Sequence, residues 1–178
     1  MDILVPRLFA VVRSSDIPTT LRTSSLSLLS TCVNTFPLAL LPYLEDLSSA
    51  MIDLLQIESV PLTHDYKEKG KDSEFSEDNE PSDDPQTMDS NPSSKNPKFP
   101  PLRRAALRFL TLVIQAATGQ LYDQLETDMS KIFSQALFYR LRVTLGYISS
   151  SDEDNIVRLM ARDATEGLKQ LQQAILEI

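Results

Sequence analysis

Side chains able to do chemistry are few in this chain and poorly grouped. It has one histidine, His64, and one cysteine, Cys32. His64 stands beside Asp65 with no thiol or second histidine nearby, whereas a metal site needs several such ligands together. Cys32 continues an apolar spacing and reads as a core thiol rather than a nucleophile. Acidic groups crowd Glu77-Asp78-Asn79-Glu80 and Ser82-Asp83-Asp84, but acid–base work needs carboxylates held at a fixed separation, which a loop does not provide. Gly70, Gly119, Gly146 and Gly167 are scattered, so no glycine-rich phosphate cradle exists. These residues point to a protein that is not an enzyme, with no cofactor, no metal and no small-molecule substrate. The arginines Arg103, Arg104, Arg108, Arg140 and Arg142 are the other polar set; gathered on one side, they would suit a nucleic acid.

Charge argues against that use. The chain carries a formal −8, and a nucleic-acid binder needs a basic face to neutralise phosphates. From Asp65 to Lys98 there are ten acidic and five basic residues, so most of the excess sits in one segment and the body is near neutral. That segment, about 60–100, also holds Pro61, Pro81, Pro85, Pro92, Pro97 and Pro100 with almost no aliphatics. Such a composition buries too little apolar surface to offset chain entropy, and the segment is expected to be a disordered acidic insertion. A single cysteine suits a reducing compartment, the start lacks a basic signal-peptide region, and the apolar run Leu107–Ala117 is too short to span a bilayer.

Elsewhere apolar residues recur every three or four positions. The stripes are Leu21, Ser25, Leu28, Leu29, Cys32; then Leu40, Leu44, Leu47, Met51, Leu54, Leu55; then Leu102, Ala106, Phe109, Leu110, Val113, Ile114, Ala117. Leu121, Leu125, Met129, Ile132, Ala136 form another, and Val157, Ala161, Ala164, Leu168, Leu171, Ile175 the cleanest. Pro18 and Pro42 suit first turns, Gly119 a C-terminal stop, and Ser151 an N-cap followed by acids. Helices are therefore expected at about 2–13, 17–35, 39–57, 101–118, 121–147 and 152–176, the fifth breaking near Gly146.

These helices share a register. Asp16 is followed by Leu21-Arg22, Ser25 and Leu29; Asp152 is followed at the same offsets by Val157-Arg158 and Ala161. Leu102-Arg103, Ala106 and Leu110 make a third copy, with Pro97 in the acid's place. The pattern resembles the second helix of HEAT and armadillo repeats, in which a small residue lets antiparallel helices approach closely. It implies an all-α fold: a HEAT/armadillo-like α-solenoid of about three helix pairs, with helices one to three in 1–59, the acidic insertion in 60–100 and helices four to six in 101–178. The same resemblance implies a structural ladder of Asp16, Arg22, Arg103, Asp152 and Arg158.

A narrower likeness rests on Leu21-Arg22-Thr23-Ser24-Ser25-Leu26-Ser27-Leu28-Leu29, on Pro42-Tyr43-Leu44-Glu45-Asp46 and on Leu102-Arg103-Arg104-Ala105-Ala106-Leu107. Together these resemble the C-terminal region of the RNA polymerase II assembly and nuclear-import factor family, whose animal relatives are named for transport and Golgi organisation. The resemblance spans about residues 2–176 outside the insertion. It implies a protein-binding scaffold in the cytoplasm that shuttles to the nucleus, with RNA polymerase II subunits and chaperone or assembly factors as partners. The alternatives are a scaffold in secretory or Golgi organisation and a nucleic-acid-binding helical repeat.

Overall fold

The apolar stripes become helices whose ends are set by identifiable groups. The computed structural model describes residues 3–59, 100–123 and 133–176. Helix α1 (Leu4–Arg13) ends where the Ser14 amide bonds the Ala10 carbonyl. Helix α2 (Thr19–Thr35) starts on Pro18, whose carbonyl accepts the Leu21 and Arg22 amides. A short α3 (Pro37–Leu40) and a 3-10 turn (Leu41–Tyr43) place Pro37 and Pro42 at first-turn positions, where a missing amide costs little. Helix α4 (Leu44–Ser59) opens with Glu45 and Asp46 at its positive end, and α5 (Pro100–Asp123) opens on two prolines. Ser134 caps α6 (Gln135–Ser151): its Oγ accepts the Leu137 amide at 3.3 Å, while Phe133 and Phe138 pack at 5.6 Å across the cap. Residues just before a cap and four positions inside it meet in this way as a hydrophobic staple. Asp154 caps α7 (Asn155–Leu176), its carboxylate accepting the Ile156 and Val157 amides at 2.8 and 3.1 Å.

The helices pack as two rows. One row is α1, α4, α6 and the other α2, α5, α7; α1 also packs on α2, α4 on α5, and α6 on α7. The polar contacts between α4 and α6 fix their relative direction. Ser134 meets Glu45, Arg140 meets Ser49 and Asp53, and Thr144 meets Gln56, so numbers rise together and the two helices run parallel. Between the rows lies one core, in which Leu29, Met51, Leu55, Phe109, Leu110, Leu141 and Leu168 are fully buried. Among the described residues the fold is all-α, and no helix is long and apolar enough to cross a membrane.

The stripes of α4, α5 and α7 are buried as their spacing predicts, with only Ile175 half-buried. That of α2 is corrected. Leu21 and Leu28 are 56% and 55% exposed, and the buried face is Arg22, Ser25, Leu26, Leu29 and Val33. This helix carries leucines all round, so period alone allowed two stripes. Packing against α1 and α5 selects the second. Leu21's counterparts Leu102 and Val157 are fully buried because each has a preceding helix in its row; α2 is first in its row among the described residues.

Four boundaries also move. Helix α5 runs through Gly119 to Asp123, and α6 through Gly146 to Ser151. The fifth expected helix therefore begins at Gln135 rather than 121; of its stripe, Leu121 belongs to α5, Ala136 is exposed, and Leu125, Met129 and Ile132 lie outside the described residues. Ser151 is the last residue of α6, and the α7 cap passes to Asp154, whose carboxylate reaches two amides at once. The acidic segment 60–100, His64 included, is likewise outside the described residues except Pro100, which opens α5.

Candidate protein-binding groove and the arginine relay

Each helix pair repeats one contact. An arginine near the start of the second helix donates to a backbone carbonyl at the end of the first: Arg22 Nε to Val12 O at 3.0 Å, Arg103 Nη1 to Glu58 O at 3.4 Å, Arg158 Nη1 to Asp152 O at 2.6 Å. A helix leaves its last carbonyls without intrahelical partners and carries partial negative charge there, so a cation is the group that serves both needs.

Two of these arginines also reach an acid at the end of the next pair's first helix. Arg22 Nη1 lies 3.6 Å from Glu58 Oε1, and Arg103 Nη2 lies 3.0 Å from Asp152 Oδ1. The second contact is deeply buried, with side chains 1% and 2% exposed. Arg103 thus ties three helices, bonding the end of α4 and the residue that closes α6 from its own place on α5. Asp152 also accepts the Asp154 amide at 2.9 Å on Oδ1. Arg158 completes its coordination on Asn155. Asp16, which the HEAT resemblance places in the ladder, is exposed and bonds none of the described residues. Its place in the relay is taken by acids at the following helix ends.

The five arginines grouped by sequence have separate fates. Arg103 is in the relay, and Arg140 holds Asp53 and Ser49 across α4 and α6 at 2.6 and 2.9 Å. Arg142 is exposed on α6. Only Arg104 and Arg108, one turn apart on α5, share a surface. They line a groove of about 420 Å³ between α2 and α5, closed at one side by Met160 of α7. Its floor is Leu26, Ala105 and Leu112, and the α2 wall is Thr23, Ser27, Ser30, Thr31 and Asn34. Arg104 pairs with Asp154, and that bond, ahead of the Val157 and Ile156 amides, holds the Asp154 carboxyl below its ordinary range against the opposing effect of burial. Arg108 is exposed and has no partner among the described residues.

Cys32 is half-buried against the core on α2. No group of histidine, cysteine and acidic residues among the described residues is arranged to hold a metal ion.

The chain matches no known protein family, no curated protein and no solved structure. The groove itself was hidden from sequence reasoning. Its signal was the polar line Thr23, Ser27, Thr31 and Asn34 at steps of four, four and three along α2, facing Arg104 and Arg108.

Proposed function

We propose that this chain is a non-catalytic scaffold of HEAT type, binding other proteins along the α2–α5–α7 row. The observation that carries the reading is the arginine-to-carbonyl contact that recurs in all three helix pairs, which supports treating them as repeats. Stacks of equivalent pairs expose long surfaces of side chains on rigid helices, suited to protein contact without turnover. The groove on that row offers mixed polar and apolar lining and no paired nucleophile and base.

The sequence likeness to the RNA polymerase II assembly and nuclear-import family directs the choice of partner. On this reading the chain holds polymerase subunits or their assembly factors and travels between cytoplasm and nucleus. The test is affinity capture of the tagged full chain from cells, followed by identification of partners. Polymerase subunits should co-purify in near-stoichiometric amounts; their absence, or enrichment of Golgi proteins in their place, refutes the assignment.

A further inference from the structure

Resting on the scaffold reading, we propose that the groove between α2 and α5 binds an extended acidic segment of a partner protein, one carboxylate of which pairs with Arg108. Three observations converge on that chemistry. First, charge is one-sided. The groove is lined by two arginines and no carboxylate. Arg104 is engaged by Asp154, so the cation left to receive a ligand is Arg108. Asp163 lines the adjoining depression with Arg108 and Thr111, and no ion pair joins it to Arg108.

Second, the opposite wall is rich in acceptors. The hydroxyls of Thr23, Ser30 and Thr31 each donate to the carbonyl one turn back in their own helix, at 2.8, 2.9 and 3.1 Å. Their protons are spent internally, and their lone pairs remain for incoming donors. Backbone amides of an extended peptide are such donors; a phosphodiester backbone is not. Ser27 and Asn34 add groups free to donate or accept. Third, the floor is apolar, with Leu112 half-buried there and Met160 half-buried at the side, leaving room for an aliphatic side chain between acids. One unpaired cation cannot neutralise successive phosphates, so a nucleic acid is the poorer fit.

The experiment uses the full chain and a fluorescein-labelled twelve-residue peptide of Asp and Glu interspersed with Leu, read by polarisation. Its control is the same peptide with Asn and Gln for the acids. We expect saturable binding of the acidic peptide alone, weakened about tenfold by Arg108→Ala, in keeping with loss of a hydrogen bond to a charged group. Ser27→Trp, which fills the groove from an exposed position, should weaken it as much, while Arg142→Ala on α6 should leave it unchanged. Equal binding of the neutral peptide, or equal loss in Arg142→Ala and Arg108→Ala, overturns the proposal. So does a single-stranded oligonucleotide that displaces the acidic peptide. Arg108→Glu separates the two levels: if polymerase capture survives it undiminished, the groove assignment fails and the scaffold reading stands, whereas wild-type chain that captures nothing removes the scaffold reading itself.

Discussion

Asp152→Ala should be among the most damaging single changes in this chain. Its carboxylate faces a guanidinium that is 1% exposed, and removing it strands a buried cation. Breaking one side of a buried ion pair costs about 3–5 kcal/mol, most of it the penalty on the partner left behind. At roughly 4 °C of melting temperature per kcal/mol for a domain of this size, the expected fall is about 12–20 °C. The loss of the Asp154 amide contact to Oδ1 adds to it. The decisive assay is a double-mutant cycle. Arg103→Met removes the stranded charge, so Arg103→Met with Asp152→Ala should be less destabilised than the sum of the single variants by about 1–3 kcal/mol. Arg158 bonds the Asp152 backbone oxygen, which alanine retains, so that contact stays constant around the cycle. Thermal or urea unfolding of the four proteins gives the coupling directly. A fall below about 4 °C for Asp152→Ala, or strict additivity in the cycle, would refute the claim that this pair joins α5 to α6.

Four smaller effects follow from the same contacts. Arg22→Ala loses the bond to Val12 O and the pairing with Glu58, and should cost about 1–3 kcal/mol in urea unfolding. Arg140→Ala breaks an ion pair whose side chains are 41% and 45% exposed, and calorimetry should find a change within about 1 kcal/mol. Gly119→Ala and Gly146→Ala place a methyl where nothing lies within 4 Å, inside α5 and α6, and each should stabilise by about 0.4–1 kcal/mol through the unfolded state. The Asp154 carboxyl is held below its ordinary value of 3.8 chiefly by Arg104, so its contribution is complete above that value and is lost as pH falls through the lower folded value. Asp154→Asn keeps a capping side chain but removes the titration; its urea midpoint should therefore drop less than that of wild type between neutral pH and about pH 3.

Much of this fold was legible because three helices have unambiguous faces. The α7 stripe has apolar residues on one side and Arg162, Glu166, Lys169 and Gln173 on the other, so period and burial agree. In α2 they diverge: leucines at 21, 26, 28 and 29 leave the choice of face to the neighbours, which sequence does not supply. Boundaries differ where the sequence suggests a glycine stop. An exposed glycine inside a helix costs under about 1 kcal/mol, less than the packing of the surrounding turns contributes, so α5 and α6 continue through theirs. The arginine register was visible as spacing, but its partners were not. Two of the three carbonyl acceptors belong to residues with no special signature, and the acids lie at helix ends brought near only by stacking.

The groove and the relay meet in consecutive residues of α5. Arg103 turns inward and pairs with Asp152 and the end of α4; Arg104 turns toward the surface and pairs with Asp154; Arg108, one turn further, has no partner among the described residues. A cation paired with an acid inside the fold holds position and offers no uncompensated charge to a partner. A cation with no internal partner recognises a ligand only if its helix is fixed by something else. Here the fixing is done by the two arginines one turn before it, each anchored to an acid at the α6–α7 turn. Arg108 therefore projects from a helix that is clamped to both rows, beside an acceptor wall whose hydroxyl protons are already committed to α2. That arrangement is pre-organised for a donor-rich, acidic strand, because neither wall must break an internal contact to receive it.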